Sequence, residues 1–243
     1  MDRIRNRRNR TRTFRDLRQH ARGPAVTGLL HIPTGLDLSA VAVGALGGAV
    51  TATRRAASEG IDVIGVMVIG IATGLGGSML RDVALARTPA ALRGDGYLLT
   101  AMAAAGIGMM FAHLLVRAAT LIALTDAAAL GLYLVLGITK AQLAGLSPTG
   151  AVLVGILACT GGGVLRDLLL GDPVALVRIG SWYVTAALGA AGVFLLCQPH
   201  LELTIATIAT VLTAFALRAA ALRWAWFSPA AGRRLPRRVS VRR

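Results

Sequence analysis

The stretch GLGGSMLRD, Gly74 to Asp82, returns as CTGGGVLRD, Cys159 to Asp167. The spacing is 85 residues, and it holds beyond the motif: Gly65 meets Gly150, Gly70 meets Gly155, Leu85 meets Leu170, and Arg55 meets Lys140. The chain is therefore an internal duplication. Each copy carries three apolar runs near the roughly 20 residues that a helix needs to cross a bilayer. Three is odd, so the second copy enters from the opposite face. The copies are then inverted about a pseudo-two-fold axis in the membrane plane. Transporters and some channels are built this way, with the pathway at the repeat interface.

Composition supports a membrane setting. Only 15% of the 243 residues are charged, against roughly 25% in soluble domains, and mean hydropathy is +0.66. The apolar runs fall at 37–54, 61–80, 97–116, 121–139, 148–170, 181–198 and 201–218. Arg54, Arg55 and Glu59 punctuate the end of the first run, Arg117 that of the third, and Asp172-Pro173 that of the fifth. The expected fold is all-α and integral to the membrane. It has seven transmembrane helices, two inverted three-helix repeats plus a seventh helix, with kinked second and fifth helices. The divisions are a basic, disordered N-terminal arm 1–34, repeats at 35–117 and 118–198, a seventh helix at 199–222, and a basic tail 223–243.

The net charge of +15 gathers in the two tails. Beside apolar spans, such tails contact anionic lipid headgroups rather than nucleic acid. Lys and Arg in the short loops favour the N-terminus outside and the C-terminus inside a bacterial cytoplasmic membrane, although the Arg-rich arm opposes that orientation. Cys159 and Cys197 read as small packing residues, not a disulfide framework. His113 reads as a packed or interfacial residue. No HExxH, GxSxG or phosphate loop occurs, and no spaced His, Cys, Asp or Glu cluster offers metal ligands. An enzyme, a metal and a cofactor are not expected.

The paired motif carries the chemistry. Gly74, Gly76, Gly77 and Ser78 in one copy, and Thr160, Gly161, Gly162 and Gly163 in the other, weaken a helix. A kink or an unwound turn there frees carbonyls that replace part of a cation's hydration shell. Close helix packing through small residues is the competing reading. Arg81-Asp82 and Arg166-Asp167 follow one turn later. Neighbours on a helix point apart, so a pairing between copies is expected, Arg81 with Asp167 and Arg166 with Asp82. Such charges form either a gate or a structural lock. Asp37 and Asp126 open the first helix of each copy, as N-caps or as cation-attracting charges at a pore mouth. Lys140 either snorkels to the interface or stays inside as a charge that tunes conduction.

The doubled GG(G/S)xxRD, an Asp opening each copy and Lys140 together resemble the prokaryotic branch of the trimeric intracellular cation (TRIC) channel family, whose members are also labelled as a glycine-transporter domain. The resemblance runs from Asp37 to Tyr183. It implies homotrimers with a pore in each protomer and passive K⁺ and Na⁺ permeation along kinked second and fifth helices. Ser78 stands where the second copy has Gly163, a departure that stiffens the first kink or adds a hydroxyl to the pathway. A secondary transporter of glycine or another small amino acid is the alternative, and a non-conducting scaffold the third reading.

Overall fold

A computed structural model describes residues 34–112, 119–174, 176 and 183–223. His113, Arg117, Arg178 and both basic tails lie outside the described residues. Seven α-helices and one short 3-10 turn are present among the described residues. They are α1 (Thr34–Glu59), α2 (Val63–Ala84), the turn Ala90–Leu92, α3 (Asp95–Met110), α4 (Ala119–Leu143), α5 (Pro148–Leu169), α6 (Tyr183–Cys197) and α7 (Leu203–Arg223). Four of them, α1, α2, α5 and α7, meet both the length and the hydropathy of a membrane span. The protein is an all-α integral membrane fold of seven transmembrane helices, two inverted three-helix repeats and a seventh helix.

The duplication is written into the helix ends. Asp62 caps α2 by accepting the Gly65 N–H at 2.7 Å. Ser147, 85 residues on, caps α5 through Gly150 at 3.3 Å, with Pro148 at the first helical position. Just before these caps, α1 and α4 end through left-handed residues, Gly60 at φ 68° and Gly145 at φ 80°. The bond that closes each turn also repeats: Ile61 N–H to the Ala56 carbonyl (3.2 Å) and Leu146 N–H to the Ala141 carbonyl (3.1 Å). Arg54, Arg55 and Glu59, expected beyond the first span, lie within α1, because the helix continues past its apolar run until Gly60 stops it.

One end breaks the match. α5 stops at Gly171 (φ 65°), but α2 stops at Ala86, held at φ 52°. A Cβ in the left-handed region costs about 1 kcal/mol. Ala86→Gly is therefore expected to raise the thermal midpoint of the detergent-solubilised protein, and Gly171→Ala to lower it, each by about 1 kcal/mol of stability. Shifts in the same direction would refute this account.

α2 and α5 cross at the glycine motifs, and the contacts are reciprocal. A Cβ on Gly77 would lie 2.2 Å from the Ala158 carbonyl oxygen, and one on Gly162 would lie 2.1 Å from that of Thr73. A Cβ on Gly76 would lie 2.5 Å from Leu165 Cδ1, and one on Gly161 would lie 2.5 Å from Leu80 Cδ1. Each contact is the image of the other under the 85-residue spacing, as a two-fold axis requires. Neither helix unwinds: α-helical structure continues from Val63 to Ala84 and from Pro148 to Leu169. The unwound turn allowed by the sequence is absent, because the glycines serve contact between backbones.

The copies differ in what they bury. α1 buries mainly small residues, including Ala40, Ala45, Ala49 and Ala52, whereas α4 buries Leu130, Leu134, Leu136 and Ile138. α7, which has no counterpart in the duplication, packs on the second repeat. Gly131 of α4 admits the Val211 backbone, and Gly189 of α6 meets Leu217.

Candidate functional site

Antiparallel helices send alternate ends to alternate faces. The starts of α1 and α3 share one face with the ends of α2 and α4. The starts of α4 and α6 share the other face with the ends of α5 and α7. Each face holds one charged cluster.

The first cluster is dry. Asp37, in the first turn of α1, accepts from Arg81 Nη1 (3.1 Å), from the Tyr97 hydroxyl (3.0 Å) and from Lys140 Nζ. Arg81 Nε donates to Asp82 at 2.8 Å, and the other Asp82 oxygen accepts the Ala90 N–H at 2.8 Å. The Arg81 side chain is 0% exposed and Asp37 3%. Two carboxylates and two cations balance, which is what allows charges to be buried this deeply. Within this cluster only Arg81 Nη2 has no hydrogen-bond partner among the described residues.

The second cluster is wetter. Asp126 sits between Arg166 Nη1 and Arg218 Nη2, both at 3.5 Å. Asp167 takes Arg166 Nε (2.9 Å) and Nη2 (2.8 Å). Here Arg166 is 14% and Asp126 19% exposed. Arg218 also lies over the Tyr183 ring, 4.8 Å from its centroid, a favourable placement for a cation.

From this second cluster a cavity of about 30 Å³ runs inward, lined by Asp126, Arg166, Tyr183, Gly163, Gly162, Thr73, Gly48 and Gly44 among others. One water needs about 10–15 Å³ measured this way, so two small waters or a poorly hydrated monovalent ion fit. The Tyr133 ring closes the inner end, and its hydroxyl donates to the Gly74 carbonyl between α4 and α2. Tyr133 is 3% exposed. It stands 85 residues from Gly48, so where one copy carries a ring the other has a glycine, and the Thr73 side chain packs against that glycine.

Several expectations need correction. The RD pairs do not exchange between copies: each Arg folds back onto its own Asp. Inversion puts the ends of α2 and α5 on opposite faces, out of mutual reach. The long arginine side chain also overcomes the divergence of neighbouring helix positions, since Nε can turn back to the next residue. Asp126 caps nothing, lying two turns inside α4, and Asp37 spends its oxygens on side chains. Lys140 does not snorkel outward but reaches Asp37. The Ser78 and Thr160 hydroxyls donate to their own helix at the Leu75 and Ile156 carbonyls and do not line the cavity. Of the motif glycines, Gly162 and Gly163 line it; Gly76, Gly77 and Gly161 sit at the crossing, and Gly74 packs on α1 while its carbonyl meets Tyr133.

Sequence reasoning passed over Tyr97, Tyr133, Tyr183, Thr73 and Arg218. The signal was available. The chain has three tyrosines, and all three stand in apolar helices, where a buried hydroxyl needs a partner. Each one belongs to the site.

Comparison with known proteins agrees with this architecture. The family model described as "Glycine transporter" matches residues 36–113 and 123–199. A UPF0126 membrane protein of Deinococcus radiodurans is 36% identical over 167 residues, covering 68% of this chain and 76% of that protein. The UPF0126 inner membrane protein YadS of Escherichia coli K12 is 28% identical over 198 residues, 78% of this chain and 91% of YadS. Among solved structures, the TRIC trimeric intracellular cation channel orthologue from Rhodobacter sphaeroides superposes with TM-score 0.71 at 32% identity, over 79% of this chain and 97% of that one. A second TRIC cation channel gives TM-score 0.70 at 26% identity, over 81% and 98% of the two chains.

Proposed function

The chain belongs to the prokaryotic TRIC channel family, the one whose sequence model is described as glycine transporter, and from that premise we propose that it is a monovalent-cation channel passing K⁺ and Na⁺ passively through a pore within each protomer of a homotrimer. It is not an enzyme. The observation that carries the reading is the cavity between the inverted repeats, open toward the second cluster and stopped by Tyr133 at the glycine crossing.

The pathway follows from the two unequal ends. A cation enters past Asp126 and Asp167, whose charges offset those of Arg166 and Arg218. It sheds part of its water against Thr73, Gly162 and Gly163. Tyr133 must then leave the Gly74 carbonyl, which becomes available to the ion as Tyr133 swings away. The first cluster is the closed end: Asp37, Arg81 and Lys140 must part for the ion to leave. The glycine-lined crossing, Gly76 and Gly77 against Gly161 and Gly162, is the pivot on which the repeats shift. The membrane is the bacterial cytoplasmic one, with the N-terminus outside and the tails on lipid headgroups.

Recording from purified protein in planar bilayers tests the reading. Unitary K⁺ currents are expected; folded trimer that passes none across voltage and pH would end it. Tyr133→Phe keeps the ring and deletes one hydrogen bond, worth about 1 kcal/mol. The expected result is an open probability about fivefold higher. An unchanged value would remove Tyr133 from the gate. The family model's description favours one second reading, carriage of glycine. Saturable uptake of labelled glycine into proteoliposomes, without unitary currents, would select it.

A further inference from the structure

The two copies place a cation at matched positions, Arg55 near the end of α1 and Lys140 near the end of α4. Their fates differ. Arg55 stays at the surface, with Nη1 on Glu59 and Nη2 on Asp172, both at 2.7 Å. Asp172 belongs to the turn after α5, so this pair ties one repeat to the other. Lys140 turns inward onto Asp37.

The 85-residue spacing gives the reason. The counterpart of Glu59 is Ala144, and the counterpart of Asp172 is Arg87, in the turn after α2. The two-fold that relates Gly77 to Gly162 carries the Arg55–Asp172 pair onto Lys140 and Arg87. There both charges are positive. Arg87 is exposed and makes no ion pair among the described residues. Lys140 therefore meets no surface carboxylate where Arg55 meets two. The charges that face it are those of the first cluster, Asp37, Arg81 and Asp82.

We infer that Arg87 is a positioning residue: its charge denies Lys140 the tether that Arg55 enjoys and so directs the ammonium onto Asp37, closing the first cluster with α4. Reversing that one sign would rebuild the tether seen at the opposite face and draw Lys140 out. The placement of Lys140 depends on no assumption about transport. Its effect on current rests on the channel reading.

The test is zero-length cross-linking with an apolar, membrane-permeant carbodiimide, which reaches carboxylates inside the protein and joins each only to an amine in contact. Full-length protein is used in liposomes, and the linked peptides are read by mass spectrometry. In the unaltered protein Lys140 should link to Asp37. In Arg87→Asp a link between positions 87 and 140 should appear, and the 37–140 link should fall about threefold, the scale of an exposed ion pair. Arg87→Ala, which removes repulsion without offering a partner, should give a smaller fall and no new link; it also serves if the reversal impairs folding. A 37–140 link unchanged in both variants overturns the inference. Current is recorded in parallel. If the link moves and the current rises about threefold, Lys140 holds the closed end. If the link moves and the current does not, Arg87 still positions Lys140 but the first cluster is not the gate. If no channel activity exists in any variant, the channel reading fails while the cross-links stand.

Discussion

Gly162→Ala is expected to destabilise the folded protein by about 3 kcal/mol, whereas the same change at the next residue, Gly163→Ala, leaves it intact. The added methyl at Gly162 lands 2.1 Å from the Thr73 carbonyl oxygen, where ordinary contact begins at 3.4 Å. The obstacle is backbone in the middle of a helix, so no side chain can rotate away. The helices must separate by more than an ångström, and the reciprocal Gly77–Ala158 contact opens with them. Overpacking of this kind costs about 3 kcal/mol. Gly163 meets nothing nearer than Arg166 Nη2 at 3.8 Å. Alanine there fits and gains about 1 kcal/mol of helix propensity, while its methyl narrows the cavity and lowers the current. Size-exclusion profiles and thermal unfolding in detergent separate the two. An unshifted thermal midpoint for Gly162→Ala would mean that the crossing is not close-packed.

Removing the Arg81 charge is the second large effect. Arg81→Gln leaves Asp37 and Asp82 buried with Lys140 alone to balance them. Breaking such a pair costs about 3–5 kcal/mol. Arg166→Gln, in the wetter cluster, retains Arg218 beside Asp126, and a loss smaller than that at position 81 is expected. Arg81→Lys should rescue little, because an ammonium cannot span two carboxylates as the guanidinium fork does. Adding Asp37→Asn to Arg81→Gln should restore part of the loss, since it removes the stranded charge. Equal losses at positions 81 and 166 would contradict the contrast between dry and wet ends. Thermal midpoints of the four variants decide it.

The span positions and the inversion were legible because both depend on hydropathy and parity, which survive any detail of packing. The four helix ends were nearly legible too: Gly60, Gly145 and Gly171 advertise left-handed turns, and only Ala86 conceals one. The pairing of charges was not. That Arg81 meets Asp37 depends on α1 and α2 lying side by side, and that Asp126 lies two turns deep depends on where α4 begins. A rule about neighbouring positions on one helix cannot supply either. Inversion, already inferred, was enough to forbid exchange between the two RD pairs, since it sends them to opposite faces. The glycines suggested broken helices; instead the structure uses most of them as a bearing surface, because the Cα–H of one backbone fits where the other lacks a side chain.

The reciprocal crossing also bears on how such a chain can change over generations. A duplicated gene begins with two interchangeable halves, and each is free to drift. Gly76, Gly77, Gly161 and Gly162 lose that liberty, because each rests against the motif of the other half. A substitution in one half alters the surroundings of the other at once. Contact through side chains imposes no such bond. Tyr133, which donates to the Gly74 carbonyl of the other half, has parted from Gly48, and Arg87 from Asp172, and each departure gave one half something the other lacks. The ancestry of this fold is preserved where backbones of the two halves touch, and its novelty has accumulated in the side chains that reach across.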